Sequence, residues 1–247
     1  MSIESPADWR GLREVGRITR MALDALEQSL RPGITTGELD HIAAALVTRH
    51  GARSAPALVY GFPGTVLLSV NDEIVHGVPG DRRLGRGDLV KLDVTLEKDG
   101  YIADAARTVT VGASSPLAVR LAASARAAFE AALAVARIGT RVNAIGRAVS
   151  SQVARDGFFV VRGLAGHGVG RTIHEQPCVP NDYDPWQLDI LTEGLVLTIE
   201  PMISAGSPER VQDADGWTLR TRDGSLAAHH EHTLVITRDG PVLLTAA

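Results

Sequence analysis

One cysteine, Cys178, stands among 247 residues. A single thiol excludes both a disulfide framework and a cysteine-type zinc site within one chain, and Cys178 reads as a passive small residue. Basic residues are not in excess: 25 Lys and Arg against 29 Asp and Glu give a net charge of −4. No basic footprint therefore points to nucleic acid or to an anionic membrane. No apolar run reaches the roughly 18 residues of a spanning helix. The Ala-rich stretch 121–138 is broken by Arg126, Glu130 and Arg137. The opening Met1-Ser2-Ile3-Glu4-Ser5-Pro6 lacks the basic and apolar regions of a signal peptide, so the expected compartment is the cytoplasm. Gly77-Val78-Pro79-Gly80 lacks the lysine and the spacing of a phosphate-binding loop. What remains is an ordinary globular composition. Hydrophobic residues make up 45% and mean hydropathy is +0.05, enough for a full core in one large domain or two small ones.

The pattern along the chain is two helices followed by strands, twice over. Ser5-Pro6 opens a helix carrying the stripe Leu12, Val15, Ile18, Ala22, Leu26, and Arg31-Pro32-Gly33 ends it. Thr35-Thr36-Gly37-Glu38 is a capping-box pattern for a second helix, closed by Gly51. Residues 54–80 read as strands and loops. A third helix is expected from Ser115-Pro116 to about Ile138 and a fourth over about 143–156. Later strands are expected at 158–164, 195–203, 217–221, 229–237 and 241–244. Gly33 to Gly51 and Gly139 to Gly157 both span 18 positions. Gly-Asp-Leu-Val-Lys-Leu-Asp (87–93) parallels Gly-Leu-Val-Leu-Thr-Ile-Glu (194–200), and His76-Gly77-Val78 parallels His167-Gly168-Val169. Matches in the same order indicate a duplicated α/β architecture, with carboxylate strands meeting at its centre.

The chemistry concentrates on a hairpin. Residues 89–96 alternate and are rich in Val, Leu and Thr; Asp99-Gly100 is a turn signal; 101–111 read as the returning strand. Pairing Leu96 with Tyr101 makes paired numbers sum to 197, which sets Asp93 opposite Asp104 with Cβ atoms about 5 Å apart. Like charges so placed call for a cation, although the hairpin taken alone also fits a solvated surface turn. The repeat adds Glu200 and His167. Strand alternation puts His229 and Glu231 on one face, with His230 and His232 on the other in structural roles. Asp93, Asp104, His167, Glu200 and Glu231 form a candidate ligand set with a formal charge of −4. Two divalent ions bridged by carboxylates about 3.5–4 Å apart would neutralise it.

These motifs resemble those of the type I methionine aminopeptidases. The resemblance rests on Ser69-Val70-Asn71-Asp72-Glu73-Ile74-Val75-His76-Gly77-Val78-Pro79, the 87–104 hairpin, Gly166-His167-Gly168-Val169-Gly170-Arg171 with His174-Glu175, Thr198-Ile199-Glu200-Pro201-Met202, and Glu231-His232-Thr233. It runs from about residue 9 to 240, with neither the insertion between Glu200 and Glu231 of the type II branch nor a long N-terminal extension. It implies the pita-bread α/β fold: two pseudo-symmetric halves, about 9–112 and 113–247, around a central antiparallel sheet. They would form a single catalytic metallopeptidase domain with residues 1–8 as an N-terminal tail. It implies removal of N-terminal methionine before a small second residue. Asp93 would hold one metal, His167 and Glu200 the other, and Asp104 and Glu231 would bridge both. Glu200 would also take the proton of the attacking water. His76 would hydrogen-bond around the scissile amide and His174 would stabilise the developing oxyanion. Phe62, Ile173 and Trp217 would line the methionine pocket. The cofactors would be two divalent ions, Co, Mn, Fe or Zn. The expected partners are nascent polypeptide N-termini at the ribosome; the residues do not reveal the oligomeric state, and a monomer is the expectation.

The chain departs from the family in several places. His229 stands where glutamine is usual, and its imidazole is expected to reach the metal pair or its surroundings. Ile102-Ala103-Asp104-Ala105 replaces His-Gly-Asp-Thr/Ser, which would strip Asp104 of polar support. Leu67 replaces a cysteine, and Phe62 a tyrosine. No ligand is lost, so these changes bear on metal affinity, rate and pocket shape. Two other readings stay open: a peptidase of the same fold cleaving before proline, and a non-catalytic peptide-binding paralogue.

Overall fold

Ser5 caps the first helix of the computed structural model, which describes residues 1–246. Its Oγ accepts from the Asp8 N–H at 3.2 Å, and Pro6 occupies the first turn of α1 (Pro6–Ser29), where no N–H is needed. The stretch expected as a tail is tied down: Ser2 bridges Leu195, and the Ile3 N–H donates to Gly194 O at 2.8 Å. Helix α2 (Thr36–Arg49) begins with the expected capping box: Thr35 Oγ1 accepts from Glu38 N–H at 3.0 Å while Glu38 accepts from Thr35 N–H at 2.7 Å. Strand β1 (Arg53–Ser54) leads into α3 (Ala55–Tyr60), where strand or loop was expected. Six residues are too few for a helical period to show.

Next come β2 (Leu67–Val70), β3 (Glu73–Val75) and the long hairpin β4 (Leu89–Lys98) and β5 (Tyr101–Thr110). Helices α4 (Pro116–Val135) and α5 (Val142–Arg155) follow, α4 stopping short of Ile138. The remainder is sheet: β6 (Phe159–Val160), β7 (Ala165–Gly168), β8 (Glu175–Pro180), β9 (Val196–Ile199), β10 (Met202–Ser204), β11 (Arg210–Gln212), β12 (Leu219–Thr221), β13 (Ala227–His229), β14 (Glu231–Thr237) and β15 (Gly240–Leu243). Strands β7, β8 and β11 were not anticipated.

The central antiparallel sheet runs β1-β4-β5-β14-β9-β7-β8, with β2 also on β4 and β15 on β14. Counting outward from the β5–β14 junction, β4 answers β9 and β2 answers β7. Asp93 thus answers Glu200, and Asp104 answers Glu231, the duplicated arrangement of the pita-bread fold. Gly33, Gly51, Gly139 and Gly157 all take positive φ at the matched helix ends. The His-Gly-Val match does not survive. His167 lies inside β7, whereas His76 follows β3, which pairs with β12 in a separate three-stranded sheet. Each half packs its own helices: Val15, Ile18, Leu23 and Leu26 of α1 against Leu92, Val94 and Leu96, and Leu121, Phe129, Ile145 and Val149 against Leu197 and Leu234. Each such side chain contributes about 1.5–3 kcal/mol.

The hairpin register differs from expectation. Lys98 pairs with Tyr101, so paired numbers sum to 199; Asp93 faces Ala106, and Asp104 faces Thr95. Asp99 and Gly100 both adopt positive φ (51° and 81°), which closes the hairpin in two residues instead of four. A shift of two preserves parity, so both carboxylates stay on one face as diagonal neighbours. The expected single strands 195–203 and 229–237 each break in two. Pro201 has no N–H to continue a ladder after Glu200. His230 is the crossing from β13, which pairs with β10, into β14 of the central sheet.

Candidate metal centre

The two strand breaks and the hairpin meet at one buried spot. Asp93 and Asp104 arrive from β4 and β5, His167 from β7, Glu200 from the end of β9 and Glu231 from the start of β14, and all five are buried. Ligand atoms of Asp104, His167 and Glu231 lie within 4.8 Å of one another, as do those of Glu200, His229 and Glu231. Asp93 joins neither set.

Threonines hold these groups. Thr95 Oγ1 donates to Asp104 Oδ1 at 2.8 Å, and Thr198 Oγ1 donates to Glu200 Oε1 at 2.8 Å while accepting from His167 N–H at 3.1 Å. Thr233 Oγ1 accepts from Asp104 N–H and donates to Asp104 O, both at 2.8 Å. Asp104 therefore keeps polar support despite Ala103 and Ala105; it comes from the facing strands. Gly166 lets β7 approach closely: a Cβ there would meet Thr198 O at 2.6 Å.

The electrostatics are those of crowded anions. Burial, then the charges of Asp104 and Glu200, pushes Asp93 well above the usual carboxylate range. Burial and Asp104 do the same to Glu200; burial, Asp104, Glu200 and Asp93 do so to Glu231. Burial raises Asp104 to about 6, against the pull of Thr95 and the Ala105 N–H. Among the described residues no lysine or arginine pairs with Asp93, Asp104 or Glu231, and Glu231 Oε1 has no hydrogen-bond partner. His167 Nδ1 lies 2.9 Å from Gly168 O, an acceptor only, so the proton sits on Nδ1 and the Nε2 lone pair faces Glu200 Oε1 at 3.3 Å. Burial holds the His167 ring neutral, its pKa lowered to about 4. Oxygen donors short of positive partners, with a lone pair aimed among them, fit divalent ions.

A cleft opens beside the carboxylates. Phe62 and Trp217 meet edge-to-face with centroids 5.3 Å apart, and Ile173, Leu67, His76 and His174 complete the wall. His76 takes a positive φ of 62° and is held neutral by burial, then by His174 and Arg210, at about 4. The His174 ring stands 4.3 Å from that of His167, and Tyr60 Oη lies 2.6 Å from His174 Nδ1. Every expected site residue thus lies at the cleft or its floor. Tyr60, Thr95 and Thr198 were missed. Tyr60 sits on a helix too short to read, and only cross-strand register reveals the threonines.

This curled antiparallel sheet with carboxylates and an imidazole at its junction defines a class of metal-dependent peptidases. The chain belongs to metallopeptidase family M24, whose profile matches residues 10–238. It is similar to methionine aminopeptidase 2 of Bacillus subtilis, 39% identical over 247 residues and 99% of each chain. It also resembles the crystal structure of the methionine aminopeptidase from Rickettsia prowazekii, 35% identical over 100% of both chains with a TM-score of 0.95. The prolidase of Pyrococcus furiosus, 22% identical with a TM-score of 0.81 over 65% of that chain, shares the fold. The full-length likeness sets this enzyme with the methionine aminopeptidases.

Proposed function

We propose that the protein removes the N-terminal methionine from polypeptides whose second residue is small, using two divalent ions held at the carboxylate cluster. The observation that carries this is the convergence of Asp93, Asp104, His167, Glu200 and Glu231, buried and without cationic side-chain partners, at the floor of an aromatic-lined cleft. Asp93 would hold one ion and His167 and Glu200 the other, with Asp104 and Glu231 serving both. When bound, the ions supply Lewis acidity and a water activated near neutral pH. Cobalt, manganese, iron and zinc all suit this donor set.

The chain's own groups do the rest. Phe62, Ile173 and Trp217 take the methionine side chain, whose thioether suits aromatic edges. The carboxylate floor beside the pocket would select a small neighbour. Glu200 accepts the proton of the attacking water. The Tyr60 hydroxyl, 2.6 Å from His174 Nδ1, orients the His174 ring, whose Nε2–H would donate to the developing oxyanion. His76 hydrogen-bonds the scissile amide. Substrates are nascent chains leaving the ribosome, and the enzyme works as a cytoplasmic monomer; no helix among the described residues is long and apolar enough to cross a membrane. The test is a peptide panel of Met-Ala, Met-Gly, Met-Leu and Xaa-Pro sequences. Methionine release should be fastest from Met-Ala and Met-Gly. Faster release from Met-Leu, or cleavage only before proline, would contradict the proposal.

A further inference from the structure

One buried side chain beside the centre has no partner of its own. His229 is 1% exposed, yet neither ring nitrogen has a hydrogen-bond partner among the described residues. Buried polar atoms are rarely left so, and each such group needs a reason. Its backbone is fixed from β5: the His229 N–H donates to Thr108 Oγ1 at 2.8 Å, and that hydroxyl donates to His229 O at 2.7 Å. The ring is thereby aimed into the centre. Its Nε2 lies 3.8 Å from Glu200 Oε2 and 3.7 Å from Glu231 Oε2. These separations are too long for hydrogen bonds. They suit donors around a common ion, since bonds of about 2.0–2.2 Å place neighbouring donors roughly 3–4 Å apart.

Glu200 divides its oxygens between two imidazoles. Oε1 faces His167 Nε2 at 3.3 Å, and Oε2 faces His229. We infer that His229 is an additional metal ligand, its Nε2 joining Glu200 and Glu231 on one ion. The assignment rests on the metal-centre reading and goes beyond its five ligands. Where the resembling family carries an amide, this chain presents a basic nitrogen. Imidazole suits zinc and iron, whereas manganese accepts an all-oxygen set more readily. His229 therefore biases the centre toward nitrogen-preferring ions.

The test begins with the full chain loaded with two equivalents of Zn²⁺. X-ray absorption counts imidazole rings by their multiple scattering. Two rings per pair of ions are expected, falling to one in His229→Gln. One ring in both proteins overturns the assignment while leaving the centre intact. A wild-type protein that binds no metal overturns the centre and the assignment with it. Titration of chelator-stripped protein supplies the second readout. His229→Gln should weaken Zn²⁺ binding about tenfold or more, a loss no smaller than that of an outer hydrogen-bond partner, and should weaken Mn²⁺ binding less. Equal losses for both ions with an unchanged ring count would mark a packing role and overturn the assignment. The wild-type ring count stands even if the variant folds poorly.

Discussion

Each carboxylate of the centre is individually worse placed than it would be in water. Burial raises Asp93, Glu200 and Glu231 well above the usual range, and their mutual repulsion adds to it. Deleting one negative charge should relieve the metal-free protein and harm the loaded one. Asp104→Asn is accordingly expected to melt at or above the wild type in excess chelator, to lose most of the metal-dependent gain in Tm, and to lose turnover. The loss should exceed the roughly 10–100-fold effect of removing an outer hydrogen-bond partner. Peptide hydrolysis near the wild-type rate after controlled metal reloading would contradict this. Thr95→Val probes the support around Asp104. It keeps the shape of the side chain but removes the hydroxyl bonded to Asp104 Oδ1 at 2.8 Å. Metal affinity should fall about 10–100-fold with little change in the metal-free Tm; an unaltered binding isotherm would show that this hydroxyl does not orient Asp104. In the pocket, Trp217→Ala removes the edge-to-face partner of Phe62. It should raise KM for Met-Ala peptides more than it lowers kcat, and a change in kcat alone would argue against a role in holding methionine.

At the scale of elements, the hairpin carries the most information. Its alternation and its Asp-Gly turn were legible, and they placed two acids on one face. The register was not legible, because alternation fixes parity and is blind to a shift of two; the positive φ of both turn residues decides it. Gly100→Ala forces a side chain into φ 81°. It should cost about 1–2 kcal/mol, seen as a Tm lower by about 2–8 °C, with metal binding retained because no ligand changes face. Loss of binding at unchanged Tm would contradict that account. Helix starts were readable for a similar local reason: Ser5, Thr35 and Ser115 all accept from the N–H three residues on. Strands β7 and β8 were hidden by their composition. Ala-Gly-His-Gly has no β-branched residue, and its glycines serve close approach to β8 and β9 instead. Strand β8 holds Pro177 and Pro180, which only an edge tolerates, and the sheet order puts β8 at the end. Long-range pairing, which no local pattern records, supplied both.

Over the whole molecule, two helix-covered halves share one sheet and one site. Asp93 and Asp104 come from the first half, and His167, Glu200 and Glu231 from the second. Metal bound between them would fasten the halves as well as serve the chemistry. Ligand present at a hundredfold over its Kd adds about 2.7 kcal/mol, a rise of roughly 5–11 °C for a chain of this size. On the proposed function, this shared site would hold the ions needed to cut the peptide. This is tested most directly by stripping the protein with chelator and then titrating Mn²⁺, Fe²⁺, Co²⁺ or Zn²⁺ back while following methionine release from a Met-Ala-Ser peptide. The stripped protein should be inactive, and activity should return in step with metal bound at the site. Hydrolysis that persists after verified removal of metal would contradict the account.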